Sequence, residues 1–235
     1  MKFWVVVPAA GIGSRIGGDR PKQYLPLHGR AVIEHSLERL LSLAPQGLVV
    51  ALHPDDQFWH NLAIRHHPRI RVVQGGSERA HSVRNALAAL ATEAADHDWV
   101  LVHDVARPCV RVADIERLLA TVATSAVGGI LATPVSDTLK EVSGEEIQAT
   151  RDRSSLWAAL TPQMFRFALL RDALDNALAE GVVPTDEAMA VERAGHKPMV
   201  VAGSRDNIKI TLREDIAIAE AILRWQEADT QESTP

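Results

Sequence analysis

The sequence predicts an α/β fold with a mostly parallel sheet, helices on its faces and one projecting β-hairpin. Three observations predict it. Short apolar runs that read as buried strands alternate along the chain with segments of helical periodicity. The first of these runs, residues 3–7 (FWVVV), opens directly into a glycine-rich loop. Near residues 138–150 the period changes once, to a two-residue alternation around Ser143-Gly144-Glu145.

The loop after the first strand reads PAAGIGSRIGGDRPKQY over residues 8–24. Gly11 and Gly13 allow a sharp turn that brings backbone N–H groups close to a ligand. Consecutive N–H groups in such a turn make a concavity suited to an anion, and Arg15 and Lys22 add fixed positive charge. Two familiar phosphate loops are excluded. Ile16 stands where Gly-x-Gly-x-x-Gly needs its third glycine, and no Gly-Lys-Ser/Thr is present. Gly-x-Gly alone is often an ordinary turn. With Arg15, and Lys22 seven residues later behind Pro21, it resembles the loop of nucleotidyltransferases that move a nucleoside monophosphate onto a phosphorylated acceptor.

Residues 31–43 place Val32, Ile33, Leu37, Leu40 and Leu41 at helical spacing, and Pro45 and Gly47 end that helix. Residues 48–52 form the second strand. Asp55 and Asp56 suit a helix N-terminus, so residues 57–67 are expected to be helical up to Pro68. His66 and His67 have no further ligand at metal spacing and read as a solvated helix end. Residues 70–73 are the third strand. Gly75-Gly76-Ser77-Glu78-Arg79 then leads into a helix over residues 80–91, with Ser82 facing back to the loop. Backbone N–H groups at such a helix start can take an anion or a base; a plain strand-to-helix turn has the same pattern.

Residues 99–102 are the fourth strand, ending in His103-Asp104-Val105-Ala106-Arg107-Pro108. Ligands of open α/β sheets bind beyond the C-terminal ends of strands. Asp104 is therefore a candidate ligand for Mg²⁺, which commonly takes one or two carboxylates plus substrate phosphates. The alternative is a turn or helix cap, with Arg107 pairing with it. A helix over residues 110–124 and a fifth strand over 128–133 follow. The alternating residues 138–142 and 147–150 form the hairpin of an arm at about 136–153. An isolated hairpin is marginal in water, so the arm must pack on something, and a second subunit is the natural candidate. Residues 156–165 carry Trp157 and Thr161-Pro162-Gln163. Helices are expected over residues 167–180 and 185–194, stopped by Gly181 and Gly195, and a late strand over 199–202. Thr211 and Glu214 match a capping box for a last helix over residues 213–227.

The 235 residues suffice for one large domain, 1–235, with a full core. The net charge of −5 gives no general affinity for nucleic acid, so an acidic substrate needs a local basic pocket. A single cysteine, Cys109, excludes an intramolecular disulfide and fits a reducing compartment. Residues 1–7 lack signal-peptide features, and no apolar run approaches the ~20 residues of a membrane span. A cytoplasmic location is expected.

Five segments stand in order: PAAGIGSR with RPKQYL, GGSERAHSV, VHDVARP, LTPQMF, and TDEAMAVE with DNIKIT. As an ordered set, spanning roughly residues 3–225, they resemble the 2-C-methyl-D-erythritol 4-phosphate cytidylyltransferase family of the non-mevalonate isoprenoid pathway. The resemblance implies a Rossmann-like domain whose β-arm interlocks a homodimer. It also implies transfer of CMP from CTP to methylerythritol phosphate with release of pyrophosphate, using Mg²⁺ or another divalent cation. Matching motif positions makes Arg15 and Lys22 the pair that stabilises the transition state. Pro8, Ala9, Ala10 and Gly11 would hold CTP, with Gly76 and Ser82 on the cytosine and ribose side. Asp104 would be the metal ligand, with Val105 and Arg107 near the acceptor. Thr185 and Lys209 would hold methylerythritol phosphate, and Thr138 and Arg153 would reach the partner subunit's site. Asp206 is a possible second carboxylate for the metal. Val105 stands where the family usually has alanine, and Ser77 where it commonly has an acidic residue.

Two other readings share these features. A ribitol-5-phosphate cytidylyltransferase has the same fold, uses CTP and carries most of the motifs. A non-catalytic CTP-binding regulatory module would bind nucleotide without turnover.

Overall fold

The computed structural model describes residues 1–11 and 20–232. In chain order the elements are β1 (Phe3–Ala9), β2 (Pro26–Leu27), β3 (Arg30–Ala31), α1 (Val32–Ser42), β4 (Leu48–Leu52) and β5 (Ile70–Gln74). Next come α2 (Arg79–Leu90), β6 (Trp99–Val102), α3 (Val112–Val122), β7 (Gly128–Pro134), β8 (Leu139–Ser143) and β9 (Glu146–Arg151). The last are β10 (Trp157–Arg166), α4 (Phe167–Ala179), α5 (Glu187–Arg193), β11 (Met199–Ala202) and α6 (Asp215–Glu232).

The main sheet has seven strands in the order β11-β7-β10-β6-β1-β4-β5. All neighbouring pairs are parallel except the two made by β10, which runs antiparallel to β6 and β7. The apolar runs are continuous because both faces of the sheet are covered. Phe3, Val5, Val7 and Ala9 of β1 enter one core with Ile33, Leu37 and Leu40 of α1 and Ile115 and Leu118 of α3. Trp4 and Val6 enter the opposite core with Val83 and Leu87 of α2 and Leu170 and Leu174 of α4. This is the period of two expected of a strand. A third cluster packs Ala219 and Leu223 of α6 against Leu27, Ala106 and Ile210.

Three local expectations give way to packing. Residues 57–67 make two 3-10 turns, Trp59–Asn61 and Ala63–His66, and not an α-helix. Asp56 Oδ1 accepts from the N–H groups of Phe58 at 3.0 Å and Trp59 at 2.9 Å, which fixes the first turn. Phe58, Trp59, Leu62 and Ile64 all pack on the first core; at 3.6 residues per turn a helix would carry Ile64 to the opposite side. The alternation signal misses β10 because Pro162 stands inside it. The strand takes this proline at a register shift between Ala159 and Gln163, where it breaks no regular ladder. The Thr211–Glu214 capping box does not form. The Asp215 carboxylate instead accepts from Thr211 N–H at 2.7 Å, Leu212 N–H at 2.8 Å and the Thr211 hydroxyl at 2.9 Å, so α6 begins at Asp215.

The β8–β9 hairpin stands outside the main sheet as its own antiparallel pair. Val142 and Ile147, on this hairpin, are 60% and 63% exposed.

Candidate active site

From β1 the chain steps outward through β4 and β5, then returns to place β6 on the other side of β1. The loops leaving β1 and β6 therefore diverge, and a crevice opens at their C-terminal ends, where open α/β sheets bind ligands. A cavity of about 270 Å³ lies there. Pro8, Ala9, Ala10, Gly11, Lys22, Gly76, Ser82, Asp104, Val105 and Lys209 line it. Arg107, Thr138, Arg153 and Thr185 do not, and Arg15 lies outside the described residues.

The β1 loop is held from below by a residue the sequence reasoning missed. Buried Gln23 donates from Nε2 to the carbonyls of Ala9 at 2.9 Å and Gly11 at 3.1 Å. It belongs to the 3-10 turn Lys22–Tyr24, so the same turn carries Lys22 into the cavity. Lys22 Nζ donates to the Ile210 carbonyl at 3.0 Å. Tyr24 donates its hydroxyl to Asp56 Oδ2 at 2.7 Å and stacks on Phe58. Burial, reinforced by Asp56, pushes the Tyr24 phenol well above its ordinary range, so it stays a donor.

The second loop approaches the first very closely. A Cβ at Gly75 would lie 2.4 Å from Ala10 Cβ, and one at Gly76 would lie 2.3 Å from His81 Cβ. Only glycine fits at either position. Ser82 accepts the Gly76 N–H at 3.0 Å, which ties the loop to the first turn of α2.

Asp104 is the electrostatic centre. Arg79 Nε lies 2.7 Å from its Oδ1, Lys209 Nζ 2.8 Å from its Oδ2, and Arg107 Nε 3.8 Å from the same Oδ2. Burial by itself would raise the Asp104 carboxyl, but the Arg79 and Lys209 charges outweigh it and hold the group well below the usual carboxylate range. Its backbone is fixed as well. Asp104 N–H donates to Thr161 Oγ1 at 3.0 Å, and that hydroxyl lies 3.1 Å from His103 Nδ1. His103 Nε2 meets the Arg107 carbonyl at 3.1 Å. A carbonyl only accepts, so Nε2 carries the proton and Nδ1 accepts from Thr161. Burial pushes the His103 imidazole down to about 4, which keeps it neutral in this arrangement.

Arg107 turns away from the cavity. Its Nη1 donates to the Asn207 carbonyl at 2.7 Å, and Asn207 Nδ2 donates to the Thr161 carbonyl at 2.8 Å. Ile210 N–H bonds the Ala106 carbonyl at 2.8 Å. These bonds bring residues 207–210, and with them Lys209, to Asp104. Val105 borders the cavity, but it is buried among the first core's residues and its carbonyl accepts from Ser36. Its branched side chain therefore fills core space.

Arg79 and Glu187 were also missed. Arg79 makes a bidentate pair with Glu187, at 2.6 and 3.0 Å, across a separation of 108 residues. Both stand inside motifs quoted above, but nothing local connects them. Thr185 is exposed two residues before α5, with its hydroxyl 3.6 Å from Met189 Sδ. Thr138 and Arg153 are exposed at the base of the hairpin, where Arg153 donates to the Ser136 carbonyl. Asp206 does not join Asp104. Its carboxylate pairs with Arg111 at 2.7 Å and accepts from Gln226 at 3.0 Å, on the side of α6.

Among the described residues no cluster of three His, Cys, Asp or Glu side chains could hold a metal ion. Asp104 presents its two oxygens to Arg79 and Lys209, so a divalent cation carried by substrate phosphates would take the oxygen that Lys209 holds. Among the described residues no helix is long and apolar enough to cross a membrane.

Lys22 and the strand-end Asp104, meeting beside the Ala9–Gly11 backbone and Gly76 at the switch point of an open sheet, are the site of an α/β nucleotidyltransferase. The family model described as 2-C-methyl-D-erythritol 4-phosphate cytidylyltransferase matches residues 3–225, and the chain belongs to that family. A protein of that name from Vibrio vulnificus is 53% identical over 220 residues, covering 93% of each chain. One from Hahella chejuensis is 50% identical over 226 residues, covering 95% of this chain and 93% of the relative. The crystal structure of the Francisella tularensis enzyme of that name superposes with a TM-score of 0.83 at 36% identity, covering 94% of this chain and 100% of that one. The Thermus thermophilus structure gives 0.80 at 31% identity, covering 95% of this chain and 100% of the other.

Proposed function

We propose that this chain transfers CMP from CTP to 2-C-methyl-D-erythritol 4-phosphate, releasing pyrophosphate and supplying an isoprenoid precursor in the cytoplasm. The observation that carries this reading is the convergence of Lys22, Lys209, Asp104 and the Ala9–Gly11 backbone on one cavity. The acceptor phosphate oxygen forms a bond to the α-phosphorus of CTP as the bond to the β-phosphate oxygen breaks. Two anions must meet, so the work is positioning and charge stabilisation. No protein nucleophile is needed.

Pro8, Ala9, Ala10 and Gly11 hold the nucleotide phosphates, with Gly76 and Ser82 on the base and ribose. Lys22 and Arg15 stabilise the charge that develops at the α-phosphate. Lys209 and Thr185 hold the acceptor, with Val105 bordering that end and Arg107 acting from outside the cavity by holding the Asn207 carbonyl, and so residues 207–210, in place. Asp104 holds Mg²⁺, which supplies charge neutralisation on the triphosphate when bound. Thr138 and Arg153 serve the partner's site in a homodimer joined through the β8–β9 hairpin. The exposed Val142 and Ile147 support that reading, since an apolar hairpin surface needs a cover.

The test is pyrophosphate release by the purified protein with Mg²⁺ and CTP, with methylerythritol phosphate and ribitol 5-phosphate in parallel. UTP, ATP and GTP are the nucleotide controls. Release with CTP and methylerythritol phosphate alone is expected. Release with ribitol 5-phosphate would overturn the acceptor, and CTP binding without release would overturn the activity.

A further inference from the structure

Two charged side chains at the cavity have no part in that reading: Arg79, which lines it, and Glu187, buried outside the lining. Arg79, the first residue of α2, sends Nη1 and Nη2 to the two oxygens of Glu187 and Nε to Asp104 Oδ1 at 2.7 Å. Glu187, on α5, is 1% exposed. Lys209 holds the other oxygen of Asp104 at 2.8 Å. The four groups form a row of alternating charge: Lys209, Asp104, Arg79, Glu187.

The two close cations on Asp104 differ in their freedom to leave. Arg79 is forked onto a buried carboxylate, a geometry that fixes a guanidinium in place. Lys209 has one such contact, sits on a flexible four-carbon stem and has a side chain 39% exposed. An anion entering the cavity can draw off Lys209 but not Arg79.

We propose that Arg79 and Glu187 are a positioning pair. By clamping Arg79 on Oδ1 of Asp104, Glu187 keeps that oxygen compensated while Lys209 moves to the acceptor phosphate and leaves Oδ2 to the divalent cation assigned to it. The proposal rests on the acceptor assignment above. Without the clamp, Asp104 retains Lys209, because a buried carboxylate that loses its partner is strongly penalised. The cost falls on the acceptor and spares CTP.

The test is the neutral double variant Arg79→Gln/Glu187→Gln, which removes both charges and strands neither. Its acceptor KM is expected to rise about 10- to 100-fold, the range for one charge-assisted hydrogen bond. CTP affinity, measured by calorimetry in the absence of Mg²⁺ so that Asp104 takes no part, is expected to stay at the wild-type value. Lys209→Ala is then added to both backgrounds. If the pair acts through Lys209, the further rise in acceptor KM shrinks to less than about threefold in the double variant, the signature of coupled sites. Effects that multiply independently would overturn the proposal, as would a wild-type acceptor KM in the double variant. If the neutral pair does not fold, Arg79→Lys/Glu187→Asp keeps the charges, loses the fork and carries the same comparison. The wild-type assay separates the two levels: no turnover there removes the functional reading itself, and the pair with it.

Discussion

His103 Nδ1 lies 3.1 Å from the Thr161 hydroxyl, although 58 residues separate the two. The contact joins the end of β6 to the interior of β10 and holds Asp104 through its backbone N–H. It requires a neutral imidazole, protonated on Nε2 for the Arg107 carbonyl.

That requirement makes stability depend on pH. His103 falls to about 4 in the folded protein, against 6.5 for an ordinary histidine. Its contribution is complete above pH 6.5. It is lost as pH falls from 6.5 to about 4, because the unfolded chain takes up a proton that the folded one refuses. The loss is on the order of 3 kcal/mol. Buried His35 is shifted in the same direction and adds to the slope. The Asp104 carboxyl, held below its ordinary 3.8, costs stability only in more acidic solution. Denaturant melts from pH 7 to 4 should show a flatter profile for His103→Gln, which keeps a donor and an acceptor. An unchanged slope would refute the assignment.

Lys22→Ala should lower turnover on the order of 100- to 1000-fold, as expected for one preorganised charge contact. The Lys22 bond to the Ile210 carbonyl contributes about 1 kcal/mol, so stability should fall by far less, in free energy, than turnover does. Pyrophosphate release and a thermal melt on the same sample check both effects. Near-normal turnover would remove Lys22 from the chemistry.

Gln23→Ala should weaken CTP binding roughly tenfold, since two loop carbonyls lose their buried donor. Gln23→Glu should be worse, because a carboxylate would face those same carbonyls. Calorimetric titration with CTP distinguishes this from a simple loss of fold, and wild-type affinity in both variants would show that the loop holds itself.

Arg153→Ala and Lys22→Ala are each expected to retain about 1% of wild-type turnover or less alone. Mixed, they should regain activity up to about a quarter of wild type if Arg153 serves the partner's site, because hybrid dimers then hold one intact site. Proven hybrids without recovery would place both residues in one subunit's site.

The strands and most helices are legible in the sequence because two-sided burial writes itself as apolar runs and 3.6-residue periods. β10 is not, since Pro162 contradicts a strand unless a bulge receives it. Residues 57–67 carry a helical pattern that Asp56 and the core override. Lys22, Asp104 and the loop glycines stand out through their place next to strand ends. Gln23, Arg79 and Glu187 lie in the same motifs, yet their partners are not sequence neighbours.

By itself the sequence determined the α/β class, the family and which loops gather at the cavity. Those properties follow from local periodicity and from an ordered set of motifs. Only the tertiary structure decided that Asp104 is shared between Arg79 and Lys209 while Asp206 is engaged by Arg111. It alone paired Arg79 with Glu187 and set the tautomer of His103. A charge pair or a buried proton depends on distances of a few ångströms between segments far apart in the chain, and no local pattern encodes them.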